Sequence, residues 1–326
     1  MTNHINKNIL EVDNLKVHYK SKSGTLKAVD DVSFRLQEGE ILGIVGESGC
    51  GKSSLVRSIM QLEQDSTKGK INFLGTDLLA ANSSDLKDIR KDLQLIFQDP
   101  LASLDPRMTI GQIIAEPLKN YNKWLSKKII QAKVLNVMQD VGLLPEYINR
   151  YPHEFSGGQC QRVGIARALI LKPKLLICDE AVSALDVSIQ AQIINLLKSL
   201  KKKYALSIIF ISHDLSVVKY ISDKIIVMYL GNIVEVSDSQ HFYNKHAQHH
   251  PYTNALLASI PEPCPKSERA KLNNLDLLLG NLPSPINPPR GCKFCTRCKF
   301  VEKDCFDTRP EFKQISDVVK IACKII

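Results

Sequence analysis

The 326-residue sequence predicts an α/β fold organised around a phosphate-binding loop, with a helical insertion and a cysteine-rich C-terminal extension. Three observations predict it. Gly46-Glu47-Ser48-Gly49-Cys50-Gly51-Lys52-Ser53 matches the pattern G-x-x-x-x-G-K-[ST], between an apolar strand (Ile41, Leu42, Ile44, Val45) and an apolar-patterned helix (Leu55, Val56, Ile59, Met60). Two further apolar runs, Leu175–Cys178 and Leu206–Ile211, end in Asp179-Glu180 and Ser212-His213-Asp214, at the carboxyl strand ends where open α/β sheets hold ligands. Five of the nine cysteines crowd between positions 292 and 323, beyond a proline-rich run.

The loop has a physical reason at each position. Gly46, Gly49 and Gly51 permit backbone angles that a Cβ forbids, and they let amide groups approach phosphate oxygens. The following helix N-terminus, opened by Lys52, Ser53 and Ser54, adds partial positive charge. Lys52 supplies a full charge for the β- and γ-phosphates, worth about 4 kcal/mol at roughly 4 Å if the effective dielectric is near 20. The Ser53 hydroxyl suits Mg²⁺. Alone, the loop says only that a nucleoside triphosphate is bound.

The totals narrow the class. A 44% hydrophobic content supports a folded core. No apolar run approaches the ~20 residues of a membrane span. The first residues, with His4, Lys7 and Asn8, carry no apolar secretory core, so a cytoplasmic protein is expected. The net charge of +9 is spread along the chain, and the run Lys201-Lys202-Lys203 reads as a solvated helix end rather than a nucleic-acid patch. Proximity to an anionic membrane surface also fits the charge.

In chain order, residues 9 to 19 alternate as a strand ending at Tyr19, whose ring either packs or stacks on a nucleotide base. Residues 28 to 45 carry two strands with a turn at Gly39. Gly69–Leu74 is a short strand. Leu93–Phe97 is a buried one leading to Gln98, an amide able to reach a metal ion or an attacking water. From Ile110 to about Lys172 the pattern is helical. Ile130, Val134, Val137, Met138 and Val141 form an amphipathic stripe capped by Ser126 and ended by Gly142. Ser156-Gly157-Gly158-Gln159 then opens a helix through Val163, Ala166, Arg167 and Ile170. It reads either as an ordinary capping turn or as a second anion site that meets another subunit's nucleotide. Asp179 suits Mg²⁺ through water, and Glu180 is placed to polarise the attacking water. Ser183–Asp186 leads into a helix striped by Ile189, Ile193, Leu196, Leu197 and Leu200, His213 offers a polar ligand, and Val227–Val236 closes as a hairpin around Gly231.

This ordered set resembles the nucleotide-binding subunit of ATP-binding-cassette (ABC) transporters over about residues 9 to 250. Gln98–Leu104, Tyr151-Pro152-His153-Glu154 and His250-Pro251-Tyr252-Thr253 are similar to the oligopeptide/dipeptide importer branch, above all to its second ATPase subunit. The resemblance implies a P-loop NTPase (RecA-like) ABC core over 1–254, with an antiparallel β subdomain and a helical subdomain inserted at about 99–172. Residues 255–326 would form the extension. It implies that Tyr19 stacks on adenine and that residues 46 to 54 with Gln98 bind the nucleotide. Ser53, Gln98 and Asp179 would serve Mg²⁺. Lys52, Glu180 and His213 would carry catalysis, with Glu180 as general base and His213 at the γ-phosphate. Ser156, Gly157, Gly158 and Gln159 would cover the ATP of a homologous partner ATPase, and Asp186 would belong to the inter-subunit loop. The implied partners are that second ATPase, two membrane permease subunits and, indirectly, a peptide-binding protein, at the cytoplasmic face of the inner membrane. No nucleic acid is expected, although a soluble ABC-type ATPase acting on nucleic acid or in metal-cluster assembly is the alternative. Ala181 stands where the family usually has Pro, a loss of fixed φ expected to loosen the approach to Asp186.

The prolines at 261, 263, 265, 283, 285, 288 and 289 mark an extended arm. Bottom-up, four of the following thiols suit zinc or a [4Fe-4S] cluster equally. The resemblance assigns Cys292, Cys298, Cys305 and Cys323 as iron-sulfur ligands, with Cys295 outside the motif as a competing ligand or an opening for zinc.

Overall fold

A computed structural model of the chain describes residues 7–22, 24–244, 246–260 and 282–326. The prolines at 261, 263 and 265, and His4, lie outside them. In chain order the elements are β1 (Asn8–Ser21), β2 (Gly24–Gln37), β3 (Ile41–Val45), α1 (Lys52–Ile59), β4 (Thr67–Phe73), β5 (Thr76–Asp77), α2 (Ser83–Asp92) and β6 (Leu93–Ile96). Then come α3 (Ile110–Tyr121), α4 (Lys127–Asp140), α5 (Gly157–Leu169), β7 (Leu175–Asp179), α6 (Val187–Tyr204) and β8 (Ser207–Ile211). The chain continues with α7 (Leu215–Ile221), β9 (Lys224–Tyr229), β10 (Asn232–Asp238), α8 (Ser239–Phe242), α9 (Pro251–Ala258), β11 (Lys313–Ser316) and β12 (Val319–Ile321). These elements fall into two compact units.

The first unit comprises residues 1–9, 37–41 and 80–211. Its strands β6, β7 and β8 are parallel, with Ile96 opposite Cys178 and Cys178 opposite Phe210. β7 and β8 are continuous apolar runs because they are buried on both faces, as parallel strands covered by helices must be. The helical insertion is α3, α4 and α5. Thr109 and Gln112 form a capping box at the start of α3, and Ser126 caps α4 by accepting from Ile129 N–H. Val134, Val137, Met138 and Val141 are buried as their spacing predicts, and Gly142 ends the helix with φ +73°. Phe97 departs from expectation: β6 stops at Ile96, and Phe97 is 48% exposed.

The second unit comprises residues 10–36, 42–79 and 212–326, so the phosphate loop and the described part of the tail share one body. An antiparallel sheet runs in the order β2-β1-β4-β5, with a register shift in β1 between Asp13 and Lys16. There Gly69 (φ +119°) lies so close to β1 that a Cβ would come within 2.7 Å of the Asn14 carbonyl oxygen. β3 is parallel to β9, β9 and β10 form the hairpin around Gly231, and β12 adds antiparallel to β10. The tail's last strand therefore extends the sheet that begins next to the loop.

Candidate functional site

In the second unit, β3 delivers the chain into residues 46–53 and α1 leaves it. Gly46 (φ +152°) and Gly51 (φ +107°) are required for two reasons at once. Each has positive φ, and a Cβ would lie 2.2 Å from the Met228 carbonyl oxygen at Gly46 and 2.0 Å from that of Ala28 at Gly51. Gly49 (φ +79°) faces open space. Backbone bonds close the loop: Cys50 N–H to Glu47 O at 3.2 Å, and Gly231 N–H to Cys50 O at 2.8 Å. α1 begins on Gly51 without a side-chain cap, which leaves its first amide groups oriented as an anion site.

Lys52 is 4% exposed, and its Nζ donates to the carbonyls of Gly46 (2.7 Å) and Glu47 (3.0 Å). The charge expected to meet phosphate is thus bonded to the loop's own carbonyls. Ser53 is exposed and Ser54 half-buried, while Cys50 is buried, and desolvation pushes its thiol up. Ser48 is exposed at the loop's crest. Tyr19, in β1, donates its hydroxyl to Glu63, whose carboxyl burial raises. His213 is exposed just after Ser212, whose N–H bonds the Ile44 carbonyl of β3 at 3.3 Å, and before Asp214, which caps α7.

In the first unit, the carboxyl ends of β6 and β7 place Gln98 beside Glu180. Gln98 Nε2 donates to Glu180 Oε2 at 2.8 Å. Glu180 holds a left-handed backbone (φ +48°), its N–H bonding the Ile211 carbonyl at 3.1 Å. A non-glycine residue in that region costs on the order of 1–3 kcal/mol and is kept only where the surroundings enforce it. Asp179 is half-buried one position earlier. Ala181 does not leave the next segment loose: Gln190 Nε2 ties it at the Val182 (2.9 Å) and Leu185 (3.1 Å) carbonyls. Asp186 is the cap of α6, accepting from Ile189 N–H (3.0 Å) and Ser188 Oγ (2.7 Å); these bonds, led by that from Ser188, hold its carboxyl below the usual range. Ser156 and Gln159 form a reciprocal capping box on α5. Gly158 serves packing: a Cβ there would meet Ile189 Cγ2 at 2.5 Å.

The tail gathers Cys292, Cys295, Cys298, Cys305 and Cys323 around one small apolar cavity with His250 and Phe294. All five are free thiols. Burial pushes Cys292 up to about 11 and raises Cys295 and Cys298. A Cβ at Gly291 would lie 2.4 Å from the Cys305 carbonyl oxygen, and Cys292 N–H bonds that carbonyl at 2.8 Å. Among the described residues, no three His, Cys, Asp or Glu side chains are arranged to hold a metal ion, which supports neither the iron-sulfur cluster nor the zinc expected from the sequence.

Sequence reasoning missed what holds the loop from behind. Tyr252 Oη accepts from Glu47 N–H at 2.9 Å, and Arg297, between two of the cysteines, makes a two-pronged ion pair with the Glu47 carboxylate. Contacts separated by 205 and 250 residues leave no local signal.

Comparison with known proteins defines the class. Residues 29–183 match the family model "ABC transporter", and residues 234–305 match "Oligopeptide/dipeptide transporter, C-terminal region". The chain belongs to the ABC transporter ATPases that carry this C-terminal region. It is 57% identical to the oligopeptide transport ATP-binding protein OppF of Salmonella typhimurium, over 93% of this chain and 92% of that one. It is 49% identical to the putative oligopeptide transport ATP-binding protein YkfD of Bacillus subtilis, over 97% and 95%. Among solved structures, a dimeric ATP-binding cassette in a post-hydrolysis state bound to ADP and Pi aligns with TM-score 0.65 at 28% identity, covering 71% of this chain and 98% of that chain.

Proposed function

We propose that this chain binds and hydrolyses ATP to energise oligopeptide import through an inner-membrane ABC transporter, as a peripheral subunit on the cytoplasmic face. The observation that carries the reading is Glu180, fixed in a left-handed backbone at the end of β7 and held by the Gln98 amide. In this reading the amides of residues 46–54 and the Lys52 ammonium bind the triphosphate, with Tyr19 at the base. Lys52 exchanges its two loop carbonyls for phosphate oxygens. Glu180 takes a proton from the attacking water and His213 contacts the γ-phosphate. Ser53 hydroxyl, Gln98 amide oxygen and Asp179 carboxylate are hard oxygen donors that fit Mg²⁺, which would neutralise phosphate charge. Ser156–Gln159 and Asp186 face a homologous second ATPase. Two permease subunits and a peptide-binding protein complete the transporter. No helix among the described residues is long and apolar enough to cross a membrane, which accords with a peripheral subunit.

The tail, residues 255–326, holds a [4Fe-4S] cluster in this reading, through Cys292, Cys298, Cys305 and Cys323. The reading rests on the resemblance of these four cysteines to the family's cluster ligands, and all four line one small cavity. Those four thiolates would hold the cluster and so tie the turns that carry them together, with Cys295 as the spare thiol.

The test is ATP turnover of the reconstituted transporter carrying Glu180→Gln. Loss of a general base lowers turnover by about 10²–10⁴-fold while ATP binding persists. Undiminished turnover removes Glu180 from the role.

A further inference from the structure

Glu47, the second residue of the phosphate loop, is held at both ends by the C-terminal part of the chain. Arg297 Nη1 and Nη2 donate to its carboxylate oxygens at 2.8 and 3.1 Å, a parallel fork in which the arginine side chain is 6% exposed and the glutamate 25%. The Glu47 amide donates to Tyr252 Oη at 2.9 Å, and its carbonyl accepts from Lys52 Nζ at 3.0 Å. Arg297 also lies 3.4 Å from Tyr229 Oη, and Phe294 of the same turn packs edge-on against Tyr229 at 5.2 Å and tilted against Tyr252 at 5.5 Å. The turn is pinned by Arg297 N–H to Phe294 O and Cys295 N–H to Cys292 O. The cysteine-lined turn is therefore one direct contact from the loop, and that contact ends on the residue whose carbonyl holds Lys52.

We propose that Arg297 is a positioning and charge-compensating residue of the ATP site, by which the cysteine-lined turn sets the affinity of the phosphate loop. The proposal rests on the reading of residues 46–54 as the ATP site. A carboxylate in a loop that receives an anionic triphosphate opposes binding unless a cation neutralises it, and repulsion at such range in a partly buried site is large. A bidentate guanidinium both neutralises Glu47 and fixes its peptide; a lysine at the same place would neutralise without fixing. By linkage, whatever stabilises the turn around Arg297 favours ATP, and ATP favours that turn.

The experiment uses the complete transporter and photolabelling of this chain by azido-ATP, so that the companion ATPase is not read. Arg297→Met is expected to weaken ATP by about tenfold or more, with a raised KM and a smaller change in kcat. The deficit should shrink as salt screens the unpaired Glu47. Arg297→Lys should fall between. The double variant Glu47→Gln/Arg297→Met should regain most of the affinity lost by Arg297→Met, which a merely structural role would not produce. Equal affinity of wild type and Arg297→Met, or no recovery in the double variant, overturns the proposal. If Arg297→Met fails to assemble, Arg297→Lys and the double variant decide by the same criteria. Lys52→Ala serves as the separate control: labelling unaffected by it removes the ATP-site reading itself, whereas loss with Lys52→Ala alone removes only the role of Arg297.

Discussion

Gly51→Ala and Gly49→Ala differ by one methyl group placed two residues apart, yet the structure assigns them very different outcomes. At Gly51 the new Cβ would sit 2.0 Å from the Ala28 carbonyl oxygen, where real Cβ contacts do not fall below 3.0 Å. The neighbour is backbone and cannot rotate away. Separating the two segments by the missing ångström breaks Gly231 N–H to Cys50 O and Asp30 N–H to Gly231 O, both 2.8 Å. At about 1 kcal/mol each, plus about 1 kcal/mol for a positive φ, the cost is about 3 kcal/mol. At Gly49 nothing lies within 4 Å, so only the φ +79° penalty applies, about 1 kcal/mol. The assay is thermal unfolding of the purified complex alongside azido-ATP labelling of this chain. Gly51→Ala should unfold clearly earlier and lose labelling; Gly49→Ala should shift little. Equal effects of the two would refute the steric account of the loop.

Other expectations follow the same logic. Gln98→Ala should lower turnover by roughly tenfold to a hundredfold, because it frees the base and removes one Mg²⁺ donor; unchanged turnover would contradict this. Ser156→Ala removes one half of the capping box on α5 and should cost about 1 kcal/mol in unfolding measurements. Partial burial pushes the Asp140 carboxyl up, but hydrogen bonds from Lys203 and Tyr204 outweigh it and leave the carboxyl below its ordinary 3.8. A depressed folded value contributes stability above pH 3.8 that is lost as pH falls through it. Asp140→Asn should therefore destabilise at neutral pH, by less than about 1 kcal/mol for so exposed a pair, with the difference closing in acid. Anaerobically purified chain should be brown, with about four irons per chain; colourless protein containing one zinc would contradict the cluster.

What was legible in the sequence was local. The loop announced itself because its glycines and Lys52 lie within eight residues of one another, β7 because burial on both faces makes it an unbroken apolar run, and α4 because one buried face imposes a short repeat on its side chains. Gln98 and Glu180 were legible for a subtler reason: parallel strands in register bring equivalent positions of their carboxyl ends together, as Ile96 opposite Cys178 does here. Phe97 was misread because an apolar residue at a strand's end carries no mark of whether the strand continues. The bonds of Tyr19 to Glu63, Tyr252 to Glu47 and Arg297 to Glu47 had no signature, since closing chain lengths of 44, 205 and 250 residues is decided by tertiary packing. The capping box at Ser156 and Gln159 shows the opposite ambiguity. One short pattern satisfies a helix end and presents glycines to a ligand, and the local bonds do not choose between them.

If ATP is cleaved only where this chain meets a homologous ATPase, the rate of hydrolysis must depend on protein concentration. In the assembled transporter the rate per subunit should be constant, while this chain, diluted free of any companion, should fall towards zero. Full-rate hydrolysis by the isolated, dilute chain would contradict it.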